Sequence, residues 1–71
     1  KATLSCTTFK SDFTKISVFD ALGREIEIVH DGLLPIGKNN FTLDTSMKSE
    51  GIYFVVILTE GRSTSISWVI K

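Results

Sequence analysis

Residues 16–26 read Ile16-Ser17-Val18-Phe19-Asp20-Ala21-Leu22-Gly23-Arg24-Glu25-Ile26. Apolar and polar side chains alternate on either side of Asp20-Ala21-Leu22-Gly23, and a period of two belongs to strands, whose successive residues point to opposite faces. Gly23 takes a positive φ at no steric cost, so the chain reverses over these four residues and the stretch is a hairpin. Ile16 and Val18 share one face of the strand Thr14 to Asp20, and Phe19 lies on the other. In the following strand, Arg24 to His30, Ile26 and Ile28 alternate with Glu25 and Glu27, which predicts a buried apolar face and a solvated acidic one.

The same period extends outward from this hairpin in both directions. Before it, Ala2 to Phe9 reads as a strand with Leu4 and Cys6 on one face, ending at Lys10-Ser11-Asp12. After it, Asp31 to Lys38 holds Gly32, Pro35 and Gly37 and predicts a surface loop whose Leu33, Leu34 and Ile36 pack onto the sandwich edge. Asn39 to Asp44 returns as a strand with Phe41 and Leu43 inward, and Thr45 to Glu50 as a turn or a single helical turn. Ile52 to Glu60 is apolar on both faces, the pattern of a central strand, and Glu60-Gly61 turns it into Ser63 to Lys71, with Ile66, Trp68 and Ile70 inward. The expected architecture is an all-β antiparallel sandwich of six to seven strands in a single domain, residues 1–71.

At 71 residues the chain is near the lower limit for independent folding and has little room for a deep cleft. Its composition, 42% hydrophobic and 23% charged, is that of a globular chain. Eight Lys plus Arg balance eight Asp plus Glu, so no long-range field draws it to nucleic acid or anionic lipid. The longest apolar run, Ile52 to Leu58, spans seven residues against about 20 for a membrane helix, so direct membrane insertion is not expected. The single cysteine, Cys6, has no partner for an internal disulfide and reads as an ordinary strand residue.

Catalysis and cofactor binding find few candidates. His30 is the lone imidazole, reads as a surface residue at a strand end, and has no third group to orient it toward a nucleophile. One His and one Cys fall short of a zinc site, and no acidic loop near Asp31 or Asp44 has calcium-ligand spacing, so no metal or cofactor is expected. Glu25 and Glu27 share a strand face and read as solvated carboxylates in place of a glycosidase pair. The glycines at 23, 32, 37, 51 and 61 are turn glycines with no helix start behind them to cradle phosphate. Among the aromatics, Phe19 and Tyr53 stand out as a possible exposed pair of the kind that stacks on sugars. Asn40-Phe41-Thr42 matches a glycosylation acceptor, a short signal common by chance.

Three stretches together resemble a known family. Val18-Phe19-Asp20-Ala21-Leu22-Gly23-Arg24-Glu25-Ile26 is similar to the "V-x-D-x-L-G-R-x-V" hairpin of the C-terminal sorting domains of the type IX secretion system. Ser49-Glu50-Gly51-Ile52-Tyr53 is similar to that family's "S-x-G-x-Y" segment, and Ser67-Trp68-Val69-Ile70-Lys71 to its terminal apolar strand ending in lysine. The resemblance covers nearly the whole chain in matching order and spacing. It implies an immunoglobulin-like sandwich without catalytic activity that directs an upstream cargo domain across the outer membrane, to the cell surface or the medium. The implied partners are the type IX translocon, a shuttle protein and a sortase-like cell-surface peptidase that removes the domain.

By position the resemblance singles out Leu22, Gly23 and Arg24 in the hairpin, Gly51 and Tyr53 in the second motif, and Lys71 at the end. Each also has a purely structural reading. Gly23 serves the turn, Gly51 the entry to a central strand, Leu22 the sandwich end and Tyr53 the core, while Arg24 pairs locally with Asp20. The Pro-Asn-Pro-like stretch that commonly precedes the first strand of the family is absent, so the cleavage site is expected upstream of Lys1 in a larger precursor. The sheet edges of so small a sandwich also invite edge-strand dimers. Two other classes fit an all-β chain of this size: an accessory module like that of flagellar hook-capping proteins, and a carbohydrate-binding module.

Overall fold

The computed structural model describes residues 2–46 and 48–71. Six strands follow one another: β1 (Ala2–Thr8), β2 (Asp12–Phe19), β3 (Glu25–Leu34), β4 (Gly37–Leu43), β5 (Gly51–Thr59) and β6 (Arg62–Ile70). They form two antiparallel sheets, β1-β4 and β3-β2-β5-β6, in an all-β sandwich. Among the described residues there is no helix.

The core lies where the narrow sheet covers the middle of the wide one. Ile16 and Val18 from β2, Tyr53 and Val55 from β5 and Leu43 from β4 are buried, with Leu4, Phe41, Val29, Trp68 and Ile70 half-buried around them. Ile16 and Val18 alternate along β2, and Phe41 and Leu43 along β4, as the period of two predicts. Leu4 and Cys6 share the half-buried face of β1, and Phe41 and Leu43 point inward from β4. Ile66, Trp68 and Ile70 lie beside Val55, Tyr53 and Gly51 on the inner face, although Ile66 extends past the covering sheet and stays exposed.

Two expectations about the third strand fail. Residues 31–34 continue β3 opposite Asp12 to Lys15, so the connection to β4 is only Pro35-Ile36. Glycine and proline suggested a loop, yet Gly32 sits within the ladder opposite Thr14. Of Leu33, Leu34 and Ile36, only Leu34 is buried. His30 consequently lies inside β3, not at its end. Its ring stands 5.3 Å from that of Phe41, and its Nε2 donates to the Gly32 carbonyl at 3.1 Å.

Ile26 and Ile28 do not form the buried face either. The β2–β3 register shifts twice, between Ile16/Ser17 and between Val18/Phe19, so Val29 and Ile26 have no partner and each bulge exchanges inner for outer. Glu27 is thereby brought beside Val18 on the inner side, while Ile28 beside Ser17 and Glu25 beside Phe19 face outward. Glu25 and Glu27 therefore occupy opposite faces. Glu27 accepts from Lys48 Nζ at 2.5 Å, and the same ammonium donates to the Asp44 carbonyl at 2.6 Å.

The β5–β6 turn is the two-residue one that the sequence predicts. Glu60 (φ 39°) and Gly61 (φ 77°) both take positive φ, as hairpins with right-handed strand twist favour. Glutamate bears the cost of that conformation, whereas asparagine adopts it readily. Replacing Glu60 by Asn should raise stability by about 0.5–1 kcal/mol, read as a higher urea midpoint with unchanged slope.

Candidate functional site

All six residues singled out by sequence fall at one end of the wide sheet. The hairpin loop after β2 carries Leu22, Gly23 and Arg24. Since Phe19 pairs with Phe54, the start of β5, with Gly51 and Tyr53, runs alongside that loop. Gly51 pairs in turn with Ile70, so Lys71 emerges at the same end and is exposed. A shallow groove there is lined by Asp20, Leu22 and Arg24 from the hairpin and by Ser49, Gly51 and Tyr53 from the entry to β5.

The hairpin loop is organised by the Asp20 carboxylate. Its Oδ1 accepts the Leu22 and Arg24 backbone N–H groups, each at 2.9 Å, and its Oδ2 accepts Arg24 Nε at 2.8 Å. Backbone bonds from Gly23 N to Asp20 O (3.0 Å) and from Asp20 N to Arg24 O (2.9 Å) close the turn. Gly23 follows at φ +85°, the left-handed residue of a three-residue hairpin loop. The Asp20 carboxyl is held below the usual aspartate range, first by the Arg24 N–H, against some desolvation, and then by the guanidinium and the Leu22 N–H. Leu22, with no such bonds to its side chain, projects at 79% exposure, and the Arg24 side chain is 72% exposed.

Tyr53 belongs to the interior. It is 8% exposed, its hydroxyl donates to the Ser49 carbonyl at 2.7 Å, and its ring lies 6.1 Å from that of Trp68. The expected exposed pair of Phe19 and Tyr53 does not exist: the two alternate onto opposite faces and Phe19 is half-buried. Gly51 (φ 152°) opens β5 in a conformation that an L-residue side chain resists.

Sequence reading missed Lys48 and Glu27, which line a neighbouring depression with Asp44 and Tyr53. Lys48 also sits 5.8 Å above the Trp68 ring, a cation–π distance, so one ammonium ties the β4–β5 crossover to β3 and β6. A lysine 21 positions from its carboxylate leaves no local sequence signal. The crossover is turned by Lys48 N to Thr45 O (3.1 Å) and Ser46 N to Asp44 Oδ1 (2.9 Å); Met47, within the predicted 45–50 turn, lies outside the described residues. Among the described residues no three His, Cys, Asp or Glu side chains converge to hold a metal ion.

Among known proteins, the family model described as "secretion system C-terminal sorting domain" matches residues 1–71. No curated protein and no solved structure matches.

A Cβ at Gly23 meets nothing within 4 Å, so Gly23→Ala should cost only the left-handed penalty, about 1–2 kcal/mol, and Gly23→Asn less, in urea melts. Because the folded-state pKa of Asp20 is depressed, its contribution is full above the unfolded value of about 3.9 and is lost as pH falls through the folded one. Asp20→Asn should therefore lower the urea midpoint at pH 7, and the gap to wild type should close on acidification below about pH 4.

Proposed function

The chain belongs to the family of type IX secretion-system C-terminal sorting domains, and from that premise we propose that it is a non-catalytic address read by the translocon and a shuttle protein. The family is one of exported proteins, at the cell surface or in the medium, that engage this machinery. On this reading the cargo lies upstream, and a sortase-like peptidase removes the domain after passage. The match over residues 1–71 is the observation that carries the proposal.

The fold supports a docking mechanism. β6 is an edge strand, hydrogen-bonded to β5 on one side only, so its other row of backbone groups is open to an added strand. Lys71 at its end, and the Leu22–Arg24 loop at the same end of the sheet but across β5, supply side chains that backbone pairing alone lacks. Arg24 spends Nε on Asp20, which holds the guanidinium in a fixed pose and leaves its terminal nitrogens for an acidic group of the partner. Leu22 offers an apolar anchor at the tip.

The test is a fluorescent reporter bearing an ordinary export signal, followed by the native upstream residues and this chain, in a host with the type IX system. Reporter outside the cell with the intact tail, but trapped in the periplasm when residues 69–71 are deleted, is the expected result. Arg24→Glu, which keeps the turn glycine, should also trap most of it. Periplasmic retention of the intact fusion would sink the proposal.

A further inference from the structure

The wide sheet carries apolar side chains on both faces, and the narrow sheet covers only one. On the other face the register sets Phe13 beside Leu33, Phe19 beside Phe54 and Ile52 beside Val69, with Ile28 between the first two pairs. Phe13, Leu33, Ile28, Phe54, Ile52 and Val69 are 36–72% exposed. β5, whose two apolar faces predicted a strand buried on both sides, is buried on one alone. Contiguous exposed apolar surface beyond a few hundred Å² is unusual on a monomer and marks an interaction surface.

We propose that this face is covered by a second copy of the chain, related by a two-fold axis, with the two wide sheets packed face to face. Area is the first argument. Four strands about 4.8 Å apart and about nine residues long at 3.4 Å present roughly 550 Å² per copy. Two copies then remove about 1,100 Å² or more from water, past the ~1,000 Å² that a specific interface should clear.

Charge is the second. Lys15 and Glu25 form an ion pair on this face at 3.2 Å, and Asp31 lies beside Lys15 on β3. One cation among two carboxylates repels nucleic acid and anionic lipid. A two-fold axis, by contrast, lays the Lys15 of each copy within reach of the Glu25 of the other, so the pattern complements itself. Ser17, buried beneath, donates its hydroxyl to Glu25, so its closure strands no polar group there. Sheets stacked about 10 Å apart with strands within about 30° of alignment accommodate such a pair. The contact is separate from the backbone edge of β6 and does not rest on the sorting proposal.

Sedimentation velocity of the 71-residue chain from micromolar to millimolar concentration tests it. A monomer–dimer equilibrium is expected, weakened at least tenfold by Ile28→Glu and by Phe54→Glu with native circular dichroism retained. Lys15→Glu should weaken it too, and the exchange Lys15→Glu with Glu25→Lys should restore it, which keeps the test open if the apolar variants fail to fold. A monomer throughout the range overturns the proposal, as does a dimer indifferent to the face substitutions, which would be joined at its strand edges.

Discussion

The structure depends on the burial of Ile16, Val18, Leu43, Tyr53 and Val55 between a sheet of two strands and a sheet of four. In so short a chain few side chains are fully covered, so removing any one of them has an outsized effect. The covering sheet is built from β1 and β4, strands more than thirty residues apart in register at their outer ends, Ala2 opposite Leu43. That pairing holds only if the chain crosses between layers three times. Residues 9–11 make the first crossing and Pro35-Ile36 the second, in two residues. Residues 44–50 make the third, pinned by Lys48 to Glu27 and to its own start, and by the Tyr53 hydroxyl to Ser49. A half-buried ion pair is a weak source of net stability, but breaking one partner leaves the other uncompensated, so its effect is to fix where the crossover lies.

Much of this architecture was legible in the sequence because its signals are local. Period-two alternation located the six strands to within a few residues, and Asp20 to Gly23 and Glu60-Gly61 identified two turns by their chemistry. What remained illegible depends on cross-strand partners. The bulges at Ile26 and Val29 reverse the faces of β3, and nothing in Glu25-Ile26-Glu27-Ile28 reveals them, since the alternation there is perfect for a regular strand. Gly32 and Pro35 together carry the local signature of a loop. Only the pairing of Gly32 with Thr14 shows that the first belongs to a strand. β5 shows a third limit: an apolar face indicates what a strand seeks, while the number of layers decides whether the chain itself supplies it.

The candidate site was legible through three motifs far apart in sequence, and register explains their convergence. Antiparallel pairing of β2 with β5 and of β5 with β6 carries the hairpin loop, the glycine–tyrosine entry and the chain end to the same edge. Their contributions differ. Gly23, Gly51 and Tyr53 each satisfy a demand of the fold: positive φ at the two glycines, and burial with a bonded hydroxyl at the tyrosine. Leu22, Arg24 and Lys71 satisfy none that the sandwich imposes. Two of the three are exposed by more than two thirds, and the Arg24 side chain bonds its turn through Nε while its backbone, which any residue supplies, makes the other bonds. A residue type that the fold does not require is one whose presence asks for a partner.

An apolar face and an open edge on the same sheet would ordinarily be an aggregation hazard, because a strand that adds at the edge extends the sticky face with it. The arrangement of β6 counters that. Its outward residues Ser63, Ser65 and Ser67 lie beside Leu58, Val56 and Phe54, so the apolar surface stops one strand short of the edge over most of its length. On the outer face these serines deny an incoming strand an apolar neighbour, while the inner face of the same strand offers Ile66, Trp68 and Ile70. Only at Val69, beside Ile52, does the apolar surface reach the edge, and that is the end where Leu22, Arg24 and Lys71 gather. On the outer face a strand added at this edge therefore meets apolar side chains at that end alone.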